Sequence, residues 1–212
     1  ENSEYFKNTT LRNSNNDFST ITVRNMSIIG DDLQYADFSG SNLTEIDFTN
    51  SGLAHSTFFH SISYNSDFSN TDLSFSDFSY SSTKRAVFEN TVLRNVDFQF
   101  AELWFIDFSH AKIIEDINFI QTWCIACNFD GIDMKLIKTP QSYSYNNFPG
   151  STFRGADFRG WDYHMIDFQA KELTGKFVVG GSILSNANLS EMDLTRMVFS
   201  RNGVPDYGFT AK

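Results

Sequence analysis

Two cysteines, four histidines and 26 carboxylates are the residues of this 212-residue chain whose types could support metal, covalent or acid–base chemistry. Cys124-Ile125-Ala126-Cys127 has the spacing of half a zinc site or of a redox pair, yet the sequence offers no matching second pair. His55, His60, His110 and His164 are widely separated, and none has a Ser or Cys placed for a nucleophilic relay. Carboxylates abound, but a general acid and a general base need a pocket that holds their pKa values apart. Whether a pocket exists depends on the elements that position these side chains.

Those elements follow from a period of five. Steps of five from Phe18 read Phe18, Val23, Ile28, Leu33, Phe38, Leu43, Phe48, Leu53, Phe58, Ser63, Phe68, Leu73, Phe78, Thr83, Phe88, Leu93, Phe98, Leu103, Phe108 and Ile113, of which all but Ser63 and Thr83 are apolar. These two polar centres are expected to carry a bulge or a local water. Two residues before each centre, from Ala36 to Ala111, stands only Ala, Ser, Thr, Ile or Val. Neither the 3.6-residue helix nor the two-residue strand produces this period. A coil of short extended sides separated by tight turns does, each side burying one large and one small residue.

From Phe38 to Phe108 every alternate centre is Phe. Four sides per coil therefore make equivalent positions recur every twenty residues, with two opposite sides stacking Phe and the other two Leu or smaller residues. At about 4.8 Å per coil, Phe18 through Ile113 spans roughly 24 Å. Stability accumulates between neighbouring coils, and the ends need caps. A filled shaft leaves no room for a catalytic pocket, so the chain is expected to be non-enzymatic, without cofactor or metal. Both cysteines fall in inward columns and are expected as buried core thiols.

The units Ala36-Asp37-Phe38-Ser39-Gly40, Ser41-Asn42-Leu43-Thr44-Glu45 and Ala156-Asp157-Phe158-Arg159-Gly160 resemble the pentapeptide-repeat family. That resemblance implies an all-β, right-handed quadrilateral parallel β-helix. The scarcity of Ala in the small column departs from the family pattern. The expected organisation is an N-terminal cap at 1–17, a regular β-helix at 18–134, one protruding loop at 135–147 around Pro140, a less regular β-helix at 148–200, and a C-terminal cap or linker at 201–212. The register is expected to slip by one residue after Ile113, to Phe119, Cys124 and Phe129.

Outward residues differ between sides. Asp37, Asp77 and Asp97 form one acidic ridge and Asp47, Asp67 and Asp107 another, directly before Phe centres. Residues 31–120 hold 14 acidic and 4 basic side chains and so account for the whole net charge of −10. One net charge per about 2.2 Å of shaft compares with one per about 1.7 Å of DNA. The plainer account is that Asp shapes the turn and keeps the shaft soluble. The side of Leu43, Ser63, Thr83 and Leu103 instead presents Ile62, Tyr64, Lys84, Arg85, Trp104, Phe105 and, one coil later, Trp123, with Tyr80 and Phe100 on a neighbouring corner. Tyr64, Lys84 and Trp104 are twenty apart, which predicts a ladder with the lysine between two rings.

The leading expectation is a non-catalytic protein–protein interaction scaffold using that aromatic side. An internal contact covering the strip is the competing account. No nucleic-acid binding is expected, for want of a basic patch, and no membrane span. The chain opens on Glu1 rather than Met, which is compatible with processing or excision from a longer protein. The resemblance implies a home in the bacterial cytoplasm or, as the partner-binding domain of a secreted effector such as a HECT-like ubiquitin ligase, in a host cell. Its quinolone-resistance branch implies the alternative of a DNA-mimicking gyrase-binding protein. That branch dimerises through a C-terminal element, often helical; Arg201 to Lys212 lack a helical pattern, which favours a monomer. A structural spacer is the third alternative.

Overall fold

A left-handed backbone residue at every fifth position turns the chain. Positive φ recurs from Thr20 through Phe105, at 66° for Gly40, 60° for Asn50 and 58° for Asn70. Each corner is closed by the N–H of the next small residue donating to the preceding centre's carbonyl, as Ser41 to Phe38 at 3.1 Å and Ser61 to Phe58 at 2.9 Å. This is the turn geometry that needs a left-handed third residue. The computed structural model describes residues 16–133, 136–138, 200–201 and 204–205.

Four corners close a coil, and successive coils pair in parallel: Asp37 with Thr57, Thr57 with Asp77, Asp77 with Asp97. The ladder is tight, with Phe38 N–H donating to Thr57 O at 2.7 Å and Thr57 N–H to Ala36 O at 2.9 Å. The molecule is thus the right-handed quadrilateral β-helix expected from the period. Its first Phe side stacks Phe18, Phe38, Phe58, Phe78, Phe98 and Phe119. The opposite Phe side stacks Phe48, Phe68, Phe88, Phe108 and Phe129. Rings within a side lie 4.3–6.0 Å apart. Across the shaft the two stacks meet edge to face, as Phe68 and Phe78 at 5.7 Å. Leu33, Leu53, Leu73 and Leu93 fill the Leu side. The fourth, mixed side carries Leu43, Ser63, Thr83, Leu103 and Cys124.

Serine replaces alanine in the small column without leaving most of its hydroxyls unpaired. Ser41, Ser51 and Thr122 donate to the carbonyls of Phe18, Ile28 and Phe98 in the coil before, at 2.6–2.7 Å. Ser63 and Thr83 are fully buried, and the ladder passes through them unbroken, with Ser63 N–H to Ser82 O at 3.0 Å. The expected bulge is absent there because the turn on either side keeps its residue count. The Ser61 and Ser63 hydroxyls lack protein partners, while those of Ser81 and Thr83 lie 3.2 Å apart.

Asp just before a centre closes its own turn. Asp37, Asp47, Asp67, Asp77, Asp97 and Asp107 each accept, through Oδ1, the N–H two residues on, at 2.7–2.9 Å. Every three-residue strand among the described residues begins with something else: β3 (Ser82–Lys84), β4 (Val92–Arg94), β5 (Glu102–Trp104), β6 (Ile113–Glu115) and β8 (Trp123–Ile125). β3, β5 and β8 make a three-stranded sheet on the mixed side, and β4 pairs with β6 on the Leu side. Shorter pairs are β1 (Met26–Ser27) with β2 (Ile46–Asp47), β7 (Ile117–Asn118) with β9 (Ile137–Lys138), and the antiparallel β10 (Ser200–Arg201) with β11 (Val204–Pro205).

The register slips one residue earlier than the sequence pattern indicates. Leu93 pairs with Ile114, not Ile113, so the extra residue enters after Ala111 and Ile114 becomes the centre. The two isoleucines are equivalent to a hydrophobicity ruler, and pairing with the coil before decides between them. Cys124 and Cys127 are buried as expected but joined in a disulfide rather than held as thiols. A centre and the next small residue flank one corner and both face inward, and their Cα atoms lie 5.8 Å apart, within reach of a bridge. Within the segment expected as a loop, Leu136 is described and Ile137–Lys138 is β9; residues 135 and 139–147, the cap over 1–15 and nearly all of 148–212 lie outside the described residues.

Candidate protein-interaction surface

Tyr64, Lys84 and Trp104 occupy one outward column of the mixed side, Lys84 and Trp104 being register partners in β3 and β5. The Lys84 ammonium sits 3.8 Å from the Trp104 ring centroid and 5.2 Å from that of Tyr64. The ladder expected from the twenty-residue spacing is therefore formed. Glu102 holds the ammonium from the adjacent column at 3.1 Å. The Ser82 hydroxyl bridges Tyr64 Oη at 3.2 Å and Glu102 Oε2 at 3.3 Å. Partial burial works to lower the Lys84 pKa, but the hydrogen bond and charge of Glu102, with help from Tyr64, hold it above the ordinary lysine value. Lys84 is thus a fixed cation and not a nucleophile.

The two corners bounding this side are aromatic as well. On one, Tyr80 stacks on Phe100 at 4.6 Å. On the other, the Arg85 guanidinium lies 5.3 Å from the Phe105 ring centroid. A groove of about 310 Å³ runs between the ladder and this second corner, lined by Tyr64, Asn65, Lys84, Arg85, Trp104 and Phe105. Ile62, Tyr80, Phe100 and Trp123 lie on the same side or its first corner but do not line the groove. Trp123 pairs with Glu102, one column away from Trp104, and Ile125 takes the place above Trp104. Asn65 was not singled out by sequence; its corner position, twenty before Arg85, was the available signal.

The corner residues are costly where they stand. Arg85, Phe100 and Phe105 have φ of 56°, 59° and 60°, and Tyr80 has 58°. Gly and Asn occupy this left-handed region most readily, and a bulky side chain there is uncommon. The fold alone would favour Asn, which it uses at corners 50, 65, 70, 90 and 95.

A further ladder escaped the sequence reading: Tyr35, His55 and Phe75 stack on a third corner at 4.8 and 4.9 Å, with nearly parallel planes. Stepping twenty along the corner column would have found it. His60 packs beside Tyr80 on its own corner. His110 pairs with Asp107 at 3.1 Å.

The acidic ridges form as two columns on the two Phe sides. Asp37 and Asp77 are separated by Thr57, and Asp77 neighbours Asp97; Asp47 neighbours Asp67, and Val87 separates the latter from Asp107. Each carboxylate is engaged through one oxygen in its own turn, as described above. No His, Cys, Asp or Glu group among the described residues could hold a metal ion. None of the described helices is long and apolar enough to cross a membrane.

Residues 32–62 and 71–104 match the family model described as pentapeptide repeats, in eight copies. No curated protein matches the sequence. Among solved structures, a trypsin-treated variant of QnrB1, a plasmid-mediated fluoroquinolone resistance protein, is 16% identical, with 87% of this chain and 84% of that one aligned at a TM-score of 0.54. HetL, a pentapeptide repeat protein involved in heterocyst differentiation regulation in the cyanobacterium Nostoc, is 17% identical over 90% and 91% of the two chains, at a TM-score of 0.36. The repeat match and the QnrB1 likeness agree with the coil traced above: the chain has the right-handed quadrilateral β-helix fold of pentapeptide-repeat proteins, and residues 32–62 and 71–104 are similar to that family.

Proposed function

We propose that the chain is a non-catalytic scaffold that docks a partner protein on its mixed side. The observation that carries this reading is the placement of Arg85 and Phe105 at left-handed corners beside the Tyr64–Lys84–Trp104 ladder. A fold optimised only for itself would place Asn or Gly there; side chains retained at a conformational cost and exposed next to a groove are side chains a partner reads. Phe105→Asn should leave the urea midpoint unchanged or raise it, while partner capture falls by about 30-fold or more, the size of an interface hot spot. Capture that survives both this change and Trp104→Ala overturns the reading. The partner-binding domain of a longer bacterial secreted effector is the narrower form of this proposal and rests on family resemblance alone.

The acidic columns favour a second reading, binding to a protein that grips DNA, gyrase being the family-level candidate. They lie within residues 31–120, whose net charge of −10 gives a density near that of a duplex. Light scattering with a gyrase supercoiling assay tests it: a monomeric mass and no inhibition dispose of it.

A further inference from the structure

We infer that the groove on the mixed side takes a carboxylate borne on an apolar segment of the partner protein, the acid pairing with Arg85 and its neighbour lying against Trp104 and Phe105. This deepens the proposed docking function and depends on it. Lys84 and Arg94 are neutralised by Glu102 and Glu115, at 3.1 and 2.7 Å. Among the described residues Arg85 has no carboxylate within ion-pair distance; it is exposed and lies beside the Phe105 ring. A guanidinium beside a ring still offers its planar fork of N–H donors, the geometry that receives a carboxylate through two parallel hydrogen bonds.

Size and charge narrow the occupant. About 310 Å³ is enough for a side chain or two, at the small end of ligand pockets. The acidic columns of the two adjoining Phe sides oppose a polyanion such as nucleic acid along the whole shaft. Their effect on a single carboxylate seated at Arg85 is screened over about 8 Å at physiological salt. Trp104 adds a separate indication, because its indole N–H is covered and has no acceptor among the described residues. A ligand oxygen entering beside Lys84 would supply one.

The test uses the full chain labelled with ¹⁵N and the probe N-acetyl-Asp-Phe-amide, compared with the Asn-Phe and Lys-Phe analogues. The Asp-Phe probe should shift the Trp104 indole and Arg85 side-chain resonances and bind about tenfold more tightly than Asn-Phe. Arg85→Asn, which suits the corner, should erase that preference, and Lys112→Gln should keep it. Equal binding of Asp-Phe and Asn-Phe, a preference that survives Arg85→Asn, or shifts elsewhere than the groove would each overturn the carboxylate anchor. The docking reading would still stand in those cases if Trp104→Ala abolished partner capture, so the two failures are distinguishable.

Discussion

The first Phe side and the mixed side share a backbone and differ in nearly everything attached to it. Inside, one stacks six phenylalanines while the other passes through Ser63 and Thr83. Outside, one repeats at Asp37, Asp77 and Asp97 a carboxylate that closes its own turn, whereas the other keeps such an acceptor at Asn42 and replaces it by Ile62, Ser82 and Glu102 in the coils that follow. The first pattern serves the fold twice over, through ring stacking and through turn closure. The second gives up buried apolar volume and turn capping together. Those two losses on one side mark it as the side shaped by something other than folding.

The largest expected effect tests the interior half of this contrast. Phe78→Ala should cost about 3–5 kcal/mol in urea unfolding, whereas Thr83→Ala, one side along, should cost less than about 1 kcal/mol. Equal costs would mean the mixed side is as much core as the Phe side. The exterior half is tested next. Asp77→Ala should lose about 1 kcal/mol, since the Ser79 N–H loses its acceptor, while Asp77→Asn, which keeps an oxygen in place, should be near neutral. If Asn costs as much as Ala, the charge rather than the acceptor matters and the ridge has a role beyond its turn.

The smallest effect is a matter of pH. Burial alone would raise the Asp107 pKa, but hydrogen bonds from Ser109, His110 and Asn128 hold it below the usual 3.8. A carboxyl depressed on folding stabilises the protein above about pH 3.8, and that contribution fades as pH falls through the lower folded value. The group is half exposed, so the contribution is a few tenths of a kcal/mol. Asp107→Asn should therefore lower the urea midpoint slightly at pH 7, with a difference that shrinks as pH falls below about 3.8.

Coil, sides and lysine ladder were all legible in the sequence because each depends only on counting to five or twenty. Choices settled by local geometry were not. Ile113 and Ile114 are interchangeable to any apolar ruler, and only the pairing with Leu93 selects the second. The inward columns placed Cys124 and Cys127 correctly, but an inward pair around a corner reads the same whether thiol or disulfide. The Tyr35–His55–Phe75 stack was countable, yet corner residues give no burial signal to draw attention to them.

The insertion after Ala111 has one more consequence. In an ordinary strand a one-residue slip would turn every inward side chain outward, yet here Phe119 and Phe129 stay stacked on Phe98 and Phe108. The corner at Ala111 keeps its count, closing on Phe108 O at 3.1 Å, and the side after it bulges to take the extra residue, so that phase is regained at Ile114. Such a chain can take up a single residue within a side over evolutionary time without scrambling its other sides. Relatives compared by straight alignment will then look less alike than their shafts are.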